Sequence, residues 1–167
     1  SASPPWQELA VNIGSHCYFM DDTRNDDLWL PDQPYRAGSF GYIGGEKLIT
    51  RRDIIGTDRN IRNTDLDPLF QTQHRNFTGY RIDAPDGRYE LTLLLADLDG
   101  NSDHVFDIVC NDRVLMQHLN IRDRYGAFQA VEKSFVIEVK GGQGLQITMP
   151  AHQGINGLCG LRLYRFP

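Results

Sequence analysis

Apolar and polar residues alternate along much of this 167-residue chain, which is the pattern of β-strands with one buried face. The alternation is clearest just after the turn signal Pro85-Asp86-Gly87. The apolar side of that predicted strand carries Tyr89, Leu91, Leu93 and Leu95. After a polar break at 97–104, Val105–Cys110 predicts a second strand. Asn111-Asp112 then predicts a two-residue hairpin turn, because both residue types tolerate positive φ.

The same period recurs in other parts of the chain. It predicts further strands at 9–12, 77–82, 134–140, 145–149 and 158–166. Residues 120–130 are predicted to be irregular, and we find no convincing amphipathic helix. Eight or more short strands with turns between them are typical of an all-β fold, and we predict an antiparallel jelly-roll β-sandwich.

Residues 15–67 show little periodicity and are rich in Gly, Pro, Asp, Asn and aromatic residues. We predict one long loop there, with a short strand somewhere within 47–55. A loop of this length in a compact domain is usually functional, or it is built around other parts of a larger protein.

The domain organisation follows from the placement of the predicted strands. Residues 1–8 are interpreted as a linker or an expression remnant, and 9–167 as a single domain. The abrupt start indicates a domain cut from a longer protein. No apolar run is long enough to span a bilayer.

The charge of the chain argues against nucleic acid and membrane partners, and its cysteine content argues against a disulfide framework. The net charge is −5, and the chain lacks the basic stripe that nucleic acid or an anionic membrane needs, so we expect neither partner. The cysteines are odd in number, at 17, 110 and 159, and do not form a closed disulfide framework. We expect Cys110 and Cys159 to be buried, with a bridge from Cys17 to either as the weaker alternative.

Five short motifs, taken in order, resemble the malectin-like domain. They are VNIGS, LFQTQ, PDGRYELTLLLADL, VFDIVCND and NGLCGLRLY. WLPDQPY and GSFGYIGG are similar to the version at the C-terminus of bacterial β-galactosidase-like glycoside hydrolases. The resemblance implies a jelly-roll sandwich and, in the namesake, an α-linked glucose disaccharide held by four loop aromatics and one Asp. Those positions fall here on Phe40, Arg75, Asp99, Gly100 and residues 154–156.

Sugar sites place aromatic rings against the apolar faces of pyranoses and use carboxylates, amides and Arg on hydroxyls. We expect the loops after 69–72, after 96 and before 158 to converge at one edge. The candidate carbohydrate-binding residues are Trp29, Tyr35, Phe40, Tyr42, His74, Arg75, Asp97, Asp99 and Asn156. The alternative for the aromatic residues is that they pack the long loop onto the sandwich.

Metal binding and catalysis have weaker support in the sequence. Asp97, Asp99 and Asp103 surround a glycine and offer the oxygen ligands that calcium prefers, but a solvated turn explains them better. The five histidines are scattered, so zinc is not expected, and no cofactor is expected. Asp107 is interpreted as a buried structural carboxylate, and no catalytic residue is assigned.

These observations favour a non-catalytic carbohydrate-binding or accessory domain of a secreted, β-galactosidase-like glycoside hydrolase. Its expected partners are a polysaccharide or oligosaccharide and the catalytic domain of the parent enzyme, in the bacterial periplasm or outside the cell. The alternative is a structural domain for interdomain packing or oligomerisation, with 15–67 making the contact. An independent hydrolase ranks last.

Overall fold

The computed structural model describes residues 7–23 and 27–167, and within them most of the regular secondary structure is β-strand. The strands are β1 (Glu8–Asn12), β2 (Phe19–Asp21), β3 (Asp27–Pro31), β4 (Phe40–Ile43), β5 (Glu46–Lys47), β6 (Ile49–Thr50), β7 (Ile54–Ile55), β8 (His74–Arg75), β9 (Gly79–Ile82), β10 (Gly87–Leu95), β11 (Val105–Cys110), β12 (Arg113–Leu119), β13 (Val131–Val139), β14 (Leu145–Thr148), β15 (Ala151–Gln153), β16 (Gly157–Leu158) and β17 (Gly160–Arg165). The helical elements are α1 (Ile121–Tyr125) and two 3-10 turns, Arg51–Asp53 and Asp67–Phe70.

Two large sheets form the body of the domain. The first has the order β13-β10-β17-β1-β3-β2, and the second has the order β12-β11-β14-β9-β4, with β15 also pairing with β11. Their strands pair antiparallel, apart from the parallel pair β1 and β3. The all-β, largely antiparallel prediction is therefore confirmed, whereas the jelly-roll connectivity stays a prediction.

The main core contains the side chains that the alternation placed on the inner faces. Tyr89, Leu91 and Leu93 of β10 are fully buried, as are Leu145 of β14 and Leu161 of β17. Removing these apolar side chains from water is the main force holding such sheets together.

Residues 15–67 differ from the long loop that the sequence predicted, because they contain β2 to β7. These strands are too short for a period of two to stand out. Trp29, Leu48 and Ile61 are buried in a second apolar cluster, which also includes Leu94 of β10 and Ala96 just after it. The segment is thereby anchored to the side of β10 that faces away from the main core.

The segment also leaves much apolar surface exposed. Of the ten large apolar side chains that are exposed within the described residues, seven lie in 15–67. They are Tyr18, Met20, Leu28, Ile43, Ile49, Ile54 and Ile55.

The stretch 120–130 was predicted to be irregular, but it holds the short helix α1. The side chain of Asn120 caps the helix by accepting a hydrogen bond from the Asp123 N–H at 3.0 Å. Gly126 ends the helix with φ of 95°. Five residues are too few to show a helical period, which is why the pattern missed α1.

The first and last strands of the fold run side by side. Glu8 in β1 pairs with Tyr164 in β17, whereas Leu94 near the end of β10 pairs with Gly160 at the start of β17. The loop that follows β10 therefore lies at the opposite end of the first sheet from Glu8.

The cysteines form no disulfide, since Cys17 is exposed and free while Cys110 and Cys159 are buried and free. Burial raises the pKa of each buried thiol to about 12. In the parts of the chain that the structure covers, no helix has the length and apolar character needed to cross a membrane.

Candidate functional site

The three loops that the sequence expected to converge do meet at one end of the sandwich. β8 pairs with β16, with Arg75 opposite Gly157, so the loop before β16 lies beside the loop around β8. The loop after β10 closes the third side. Together they line a small cavity, here called the rim pocket, whose walls include Gln73, Arg75, Asp97, Leu98, His104, Ile155 and Asn156. Its volume of about 20 Å³ has room for about one water molecule and not for a sugar ring.

Arg75 and His104, which line the rim pocket, both face the carboxylate of Asp99 beside it. The Ile155 N–H donates to His104 Nδ1 at 3.0 Å, so the ring proton sits on Nε2, which donates to Asp99 Oδ2 at 3.1 Å. The same carboxylate oxygen lies 3.9 Å from the guanidinium of Arg75. Among the described residues no acceptor bonds the buried Nε of Arg75, which is uncommon for a buried donor.

Two of the predicted contacts hold the loops in place and are not exposed to a ligand. Asn156 is buried; its Oδ1 accepts from the Phe77 N–H at 3.0 Å, and its Nδ2 donates to the carbonyls of Phe77 and Met149. Asp97 is also buried and accepts the backbone N–H groups of Asp99 and Gly100 at 3.0 and 2.9 Å. Both side chains form hydrogen bonds with the backbone and so stabilise the fold, as buried polar groups usually do.

A wider and more open groove lies on the outer side of the Asp99 loop. This rim groove encloses about 550 Å³ and is lined by Arg59, Asn60, Arg62, Asp99, Gly100, Asn101, Ala127 and Phe128. A Cβ added to Gly100 would lie 3.4 Å from Cε2 of Phe128. An aromatic ring therefore lies beside position 100, but it belongs to residue 128 and not to the loop that follows β10.

Phe128 is held in an unusual backbone conformation. Its φ is 53°, and the guanidinium of Arg59 lies 3.7 Å from the centre of its ring. Arg62 fixes the same segment by donating to the Ala127 carbonyl at 2.6 Å. Arg59, Arg62, Phe128 and His104 were not among the residues predicted from the sequence, since they lie in stretches without periodicity. The only available signal was an aromatic residue following Gly126-Ala127.

The aromatic candidates of the long segment lie elsewhere and do not form a stacking platform. Trp29 and Phe40 are buried, with 5% and 7% of their surfaces exposed. The Tyr35 hydroxyl donates to Asp83 at 2.6 Å. Tyr42 stacks on His74 at 3.9 Å between ring centres, and His74 Nε2 lies 2.8 Å from the Gly44 carbonyl. Packing therefore covers the rings of Trp29 and Phe40 and one face of Tyr42, whereas Tyr35 is only partly buried. The sugar-contacting role of these four residues stays a prediction.

The three candidate calcium ligands do not converge either. Asp97 accepts backbone amides and Asp99 faces His104, while Asp103 pairs with Arg122. The hydrogen bonds that Asp103 accepts from Asn120 and Arg122 lower its pKa. A loop whose carboxylates are each held by other groups is better explained as a folded turn than as a calcium site.

Asp107 also differs from the expectation of a buried, purely structural carboxylate. Its side chain is 18% exposed and pairs with His152 at 2.9 Å. His118 and His152, far apart in sequence, stack with ring centres 4.2 Å apart. Hydrogen bonding to the His118 N–H lowers the pKa of Asp107.

Comparison with known families identifies one family for this chain. The family model of the malectin domain matches residues 7–155. No curated protein matches the sequence.

Two solved structures of Bacteroides uniformis enzymes resemble the chain closely. A β-glucuronidase is 37% identical over 96% of this chain with a TM-score of 0.86, and β-glucuronidase 2 is 38% identical over 96% with a TM-score of 0.84. The chain covers 18% of each enzyme, so it corresponds to one domain-sized part of them. The expected β-galactosidase parent has no support from these enzymes.

A more distant likeness shows the fold alone. The ANXUR1 extracellular domain from Arabidopsis thaliana is 18% identical over 95% of this chain, with a TM-score of 0.73. This chain covers 48% of that structure.

Proposed function

The chain belongs to the malectin domain family, and on that basis we propose that it is a non-catalytic accessory domain of a glycoside hydrolase that binds an acidic oligosaccharide at the rim groove. The parent enzyme in this proposal is β-glucuronidase-like, following the bacterial structures that the chain resembles. The protein would act in the periplasm or outside the cell, where bacteria meet polysaccharides.

The observation that carries the proposal is the position of Phe128. In the family, an aromatic ring for sugar stacking is expected at positions that fall here on Asp99 and Gly100. The Phe128 ring lies where a side chain at position 100 would touch it, and it lines the same groove as Asp99. Arg59 covers one face of the Phe128 ring, so a pyranose would contact the remaining exposed part of the ring next to the Asp99 carboxylate.

The charge around the Asp99 loop favours a sugar that carries a carboxylate. Arg59 and Arg62 line the rim groove, and Arg75 lies on the other side of the loop, facing Asp99. Three guanidinium groups around the half-buried Asp99, with Asp103 already paired with Arg122, leave a local positive charge, although the whole chain carries −5. Guanidinium groups bind carboxylates through paired, charge-assisted hydrogen bonds.

The arrangement of acids supports a non-catalytic role. Hydrolysis of a glycoside usually needs two carboxyl groups facing each other across a cleft. In the described rim, Asp97 is occupied by backbone amides and Asp99 by His104. Such a domain would raise the local concentration of the parent enzyme on its polymer.

The test is a titration of the isotope-labelled chain, followed by NMR, with an oligosaccharide that ends in β-linked glucuronic acid. The matched ligand ends in glucose and lacks only the carboxylate. We expect the acidic ligand to bind more tightly, to shift the amides of 98–101 and 126–129, and to lose affinity as salt is added. Absence of binding by either ligand would contradict sugar recognition, and equal binding would contradict the charge argument.

Phe128→Ala should weaken the binding about three- to tenfold, which is the effect of losing one stacking contact. Phe166→Ala is the matched control, because Arg88 lies 5.4 Å from the centre of that ring at the other end of the sandwich. A loss of equal size in both variants would argue against the rim groove.

A second candidate function is docking against the rest of the parent chain without sugar binding. The exposed apolar side chains favour it, because seven of ten lie in residues 15–67. Ile49, Ile54 and Ile55 lie together on the β6–β7 hairpin, where Ile49 pairs with Ile55. Exposed apolar groups that cluster in one segment often mark an interaction surface.

A further inference from the structure

Asp107, His118 and His152 form a cluster on the outer face of the second sheet. Each offers one ligand atom, and the three atoms lie within 4.8 Å of one another. Asp107 lies between Phe106 and Ile108, whose side chains are buried, so its own side chain projects from the other face of β11. β12 and β15, which carry the histidines, both pair with β11.

A β-bulge in β12 brings His118 to the cluster. Phe106 pairs with Leu119 and Ile108 with Met116, so Gln117 and His118 together face the single residue Asp107. Bulges of this kind redirect a side chain and are common beside functional sites.

The backbone of His118 is strained at this point. Its φ is 51°, a conformation that non-glycine residues rarely adopt, and the side chain is exposed, so burial does not offset the strain. The N–H of His118 donates to Asp107 Oδ1 at 2.9 Å. The carboxylate thereby fixes the bulge and holds the His118 ring against that of His152.

We propose that Asp107, His118 and His152 bind a divalent transition metal ion of the zinc type. Two imidazole nitrogens and one carboxylate oxygen are the three-ligand set that zinc accepts, with water in the remaining position. Calcium and magnesium prefer oxygen ligands throughout and fit this set poorly.

The geometry needs only a small adjustment to bind an ion. Both rings are exposed, so rotation about their side-chain torsions can turn the two nitrogens toward one point. Asp107 uses Oδ1 for the His118 N–H and for His152, and within the described residues Oδ2 has no hydrogen bond. Two neutral imidazoles and one carboxylate leave one positive charge on the complex, which its exposed position lets water solvate.

Such an ion would tie three strands together. β15 is a short, fully exposed strand whose chain continues through Gly154 to Ile155 and Asn156 in the rim pocket. Metal binding would therefore add a side-chain anchor to β15, whose three residues are all exposed. The metal site does not depend on the proposed sugar site, because no residue is shared.

The test measures metal binding by the whole chain, purified without a histidine tag. Zn²⁺ binding is followed by calorimetry, and Co²⁺ is used as a coloured substitute whose visible absorption reports coordination. We expect one ion per chain, and NMR shifts of the ring protons of His118 and His152 but not of His16. Zn²⁺ should also raise the melting temperature relative to EDTA, since an ion that binds only the folded state stabilises it.

His118→Asn and His152→Ala should each lower the zinc affinity by at least about tenfold, the least that an altered metal shell usually costs. Asn tolerates positive φ, so His118→Asn removes the ligand and keeps the bulge. His16→Asn, at an exposed histidine outside the cluster, is the matched control and should bind as the wild type does.

The melting temperature of each variant in EDTA shows whether that variant is folded. If His118→Asn in the bulge unfolds, His152→Ala still tests the proposal, because it lies on the exposed strand β15. Wild-type zinc binding no tighter than that of His152→Ala would overturn the proposal. Equal losses in His16→Asn and the cluster variants would do the same.

Discussion

At the scale of single residues, Asp83 shows how one carboxylate can hold separate parts of the chain. Its Oδ2 accepts from the Tyr35 hydroxyl at 2.6 Å and from the Gly38 N–H at 2.7 Å, and its Oδ1 accepts from Arg81 at 3.0 Å. Partial burial works to raise the pKa of Asp83, but the hydrogen bonds outweigh it and the pKa lies below its usual value.

Asp83→Asn should therefore destabilise the protein at neutral pH and much less in acid. A carboxyl group whose pKa is lowered by folding stabilises the native state above its unfolded pKa of about 3.9, and that contribution is lost as the pH falls through the folded value. We expect a loss of about 1.5 kcal/mol at pH 7, the lower end for hydrogen bonds to a charged group.

Urea unfolding of both proteins at pH 7 and pH 3 measures the difference. Asp58→Asn is the control, since Asp58 is exposed and makes no side-chain hydrogen bond or ion pair within the described residues. A difference between wild type and Asp83→Asn that is the same at both pH values would contradict the assignment.

Residue identity alone did not reveal which side chains face a ligand. The sequence predicted that Arg75, Asp97, Asp99 and Asn156 would meet at one edge, and they do, because strand order fixes where loops end. It could not distinguish Asn156, which is buried and fully bonded, from Asp99, which is accessible. Phe128 was missed because its neighbour Gly100 lies 28 positions earlier in the chain.

At the scale of elements, the hairpin between β11 and β12 is fixed by its two turn residues. Asn111 and Asp112 have φ of 48° and 66°, the left-handed values that a tight hairpin turn of this kind needs. The side chain of Asn111 also bonds the neighbouring strand, donating to the Gly144 carbonyl at 2.9 Å and accepting from the Gln146 N–H at 2.8 Å.

Asn111→Ala should lower the free energy of unfolding by about 2–3 kcal/mol, because it adds left-handed strain and removes both hydrogen bonds. Asn111→Gly relieves the strain and should lose only about 1 kcal/mol. Asp112→Gly should be close to neutral. Chemical denaturation of the three variants measures these values, and equal losses for Ala and Gly at 111 would show that strain plays no part.

The long, strongly alternating elements were the ones that sequence could predict. β10 and β11 were predicted almost to the residue, since each buries one continuous row of side chains. The strands β2 to β7 have two to five residues each. They are held by contacts with residues distant in sequence, through the second apolar cluster around Trp29 and Leu48 and, for Phe40 of β4, through the main core. Contacts of that kind leave no local period to detect.

At the scale of the whole molecule, the β6–β7 hairpin offers a direct test of docking on the parent enzyme. Changing Ile49, Ile54 and Ile55 to Ser should leave the isolated chain as stable as before, because these side chains are exposed. In the full-length parent, the same change should separate the melting of this domain from that of the rest, since an interface has lost its apolar contact.

Scanning calorimetry of the parent measures the separation. The paired change of Val114 and Val136 to Ser is the control, as both are exposed outside residues 15–67. A parent that melts identically with and without the isoleucines would count against docking through this hairpin.

The pairing of Glu8 with Tyr164 has a consequence for how the domain can be carried by other proteins. Entry into β1 and exit from β17 are neighbours, about 17 Å along the sheet from the Asp99 loop, given a strand rise of about 3.3 Å per residue. A host chain can therefore accept the whole module between two adjacent positions of a surface turn. Grafted in this way, it would keep the Asp99 loop and the rim groove pointing away from the graft point.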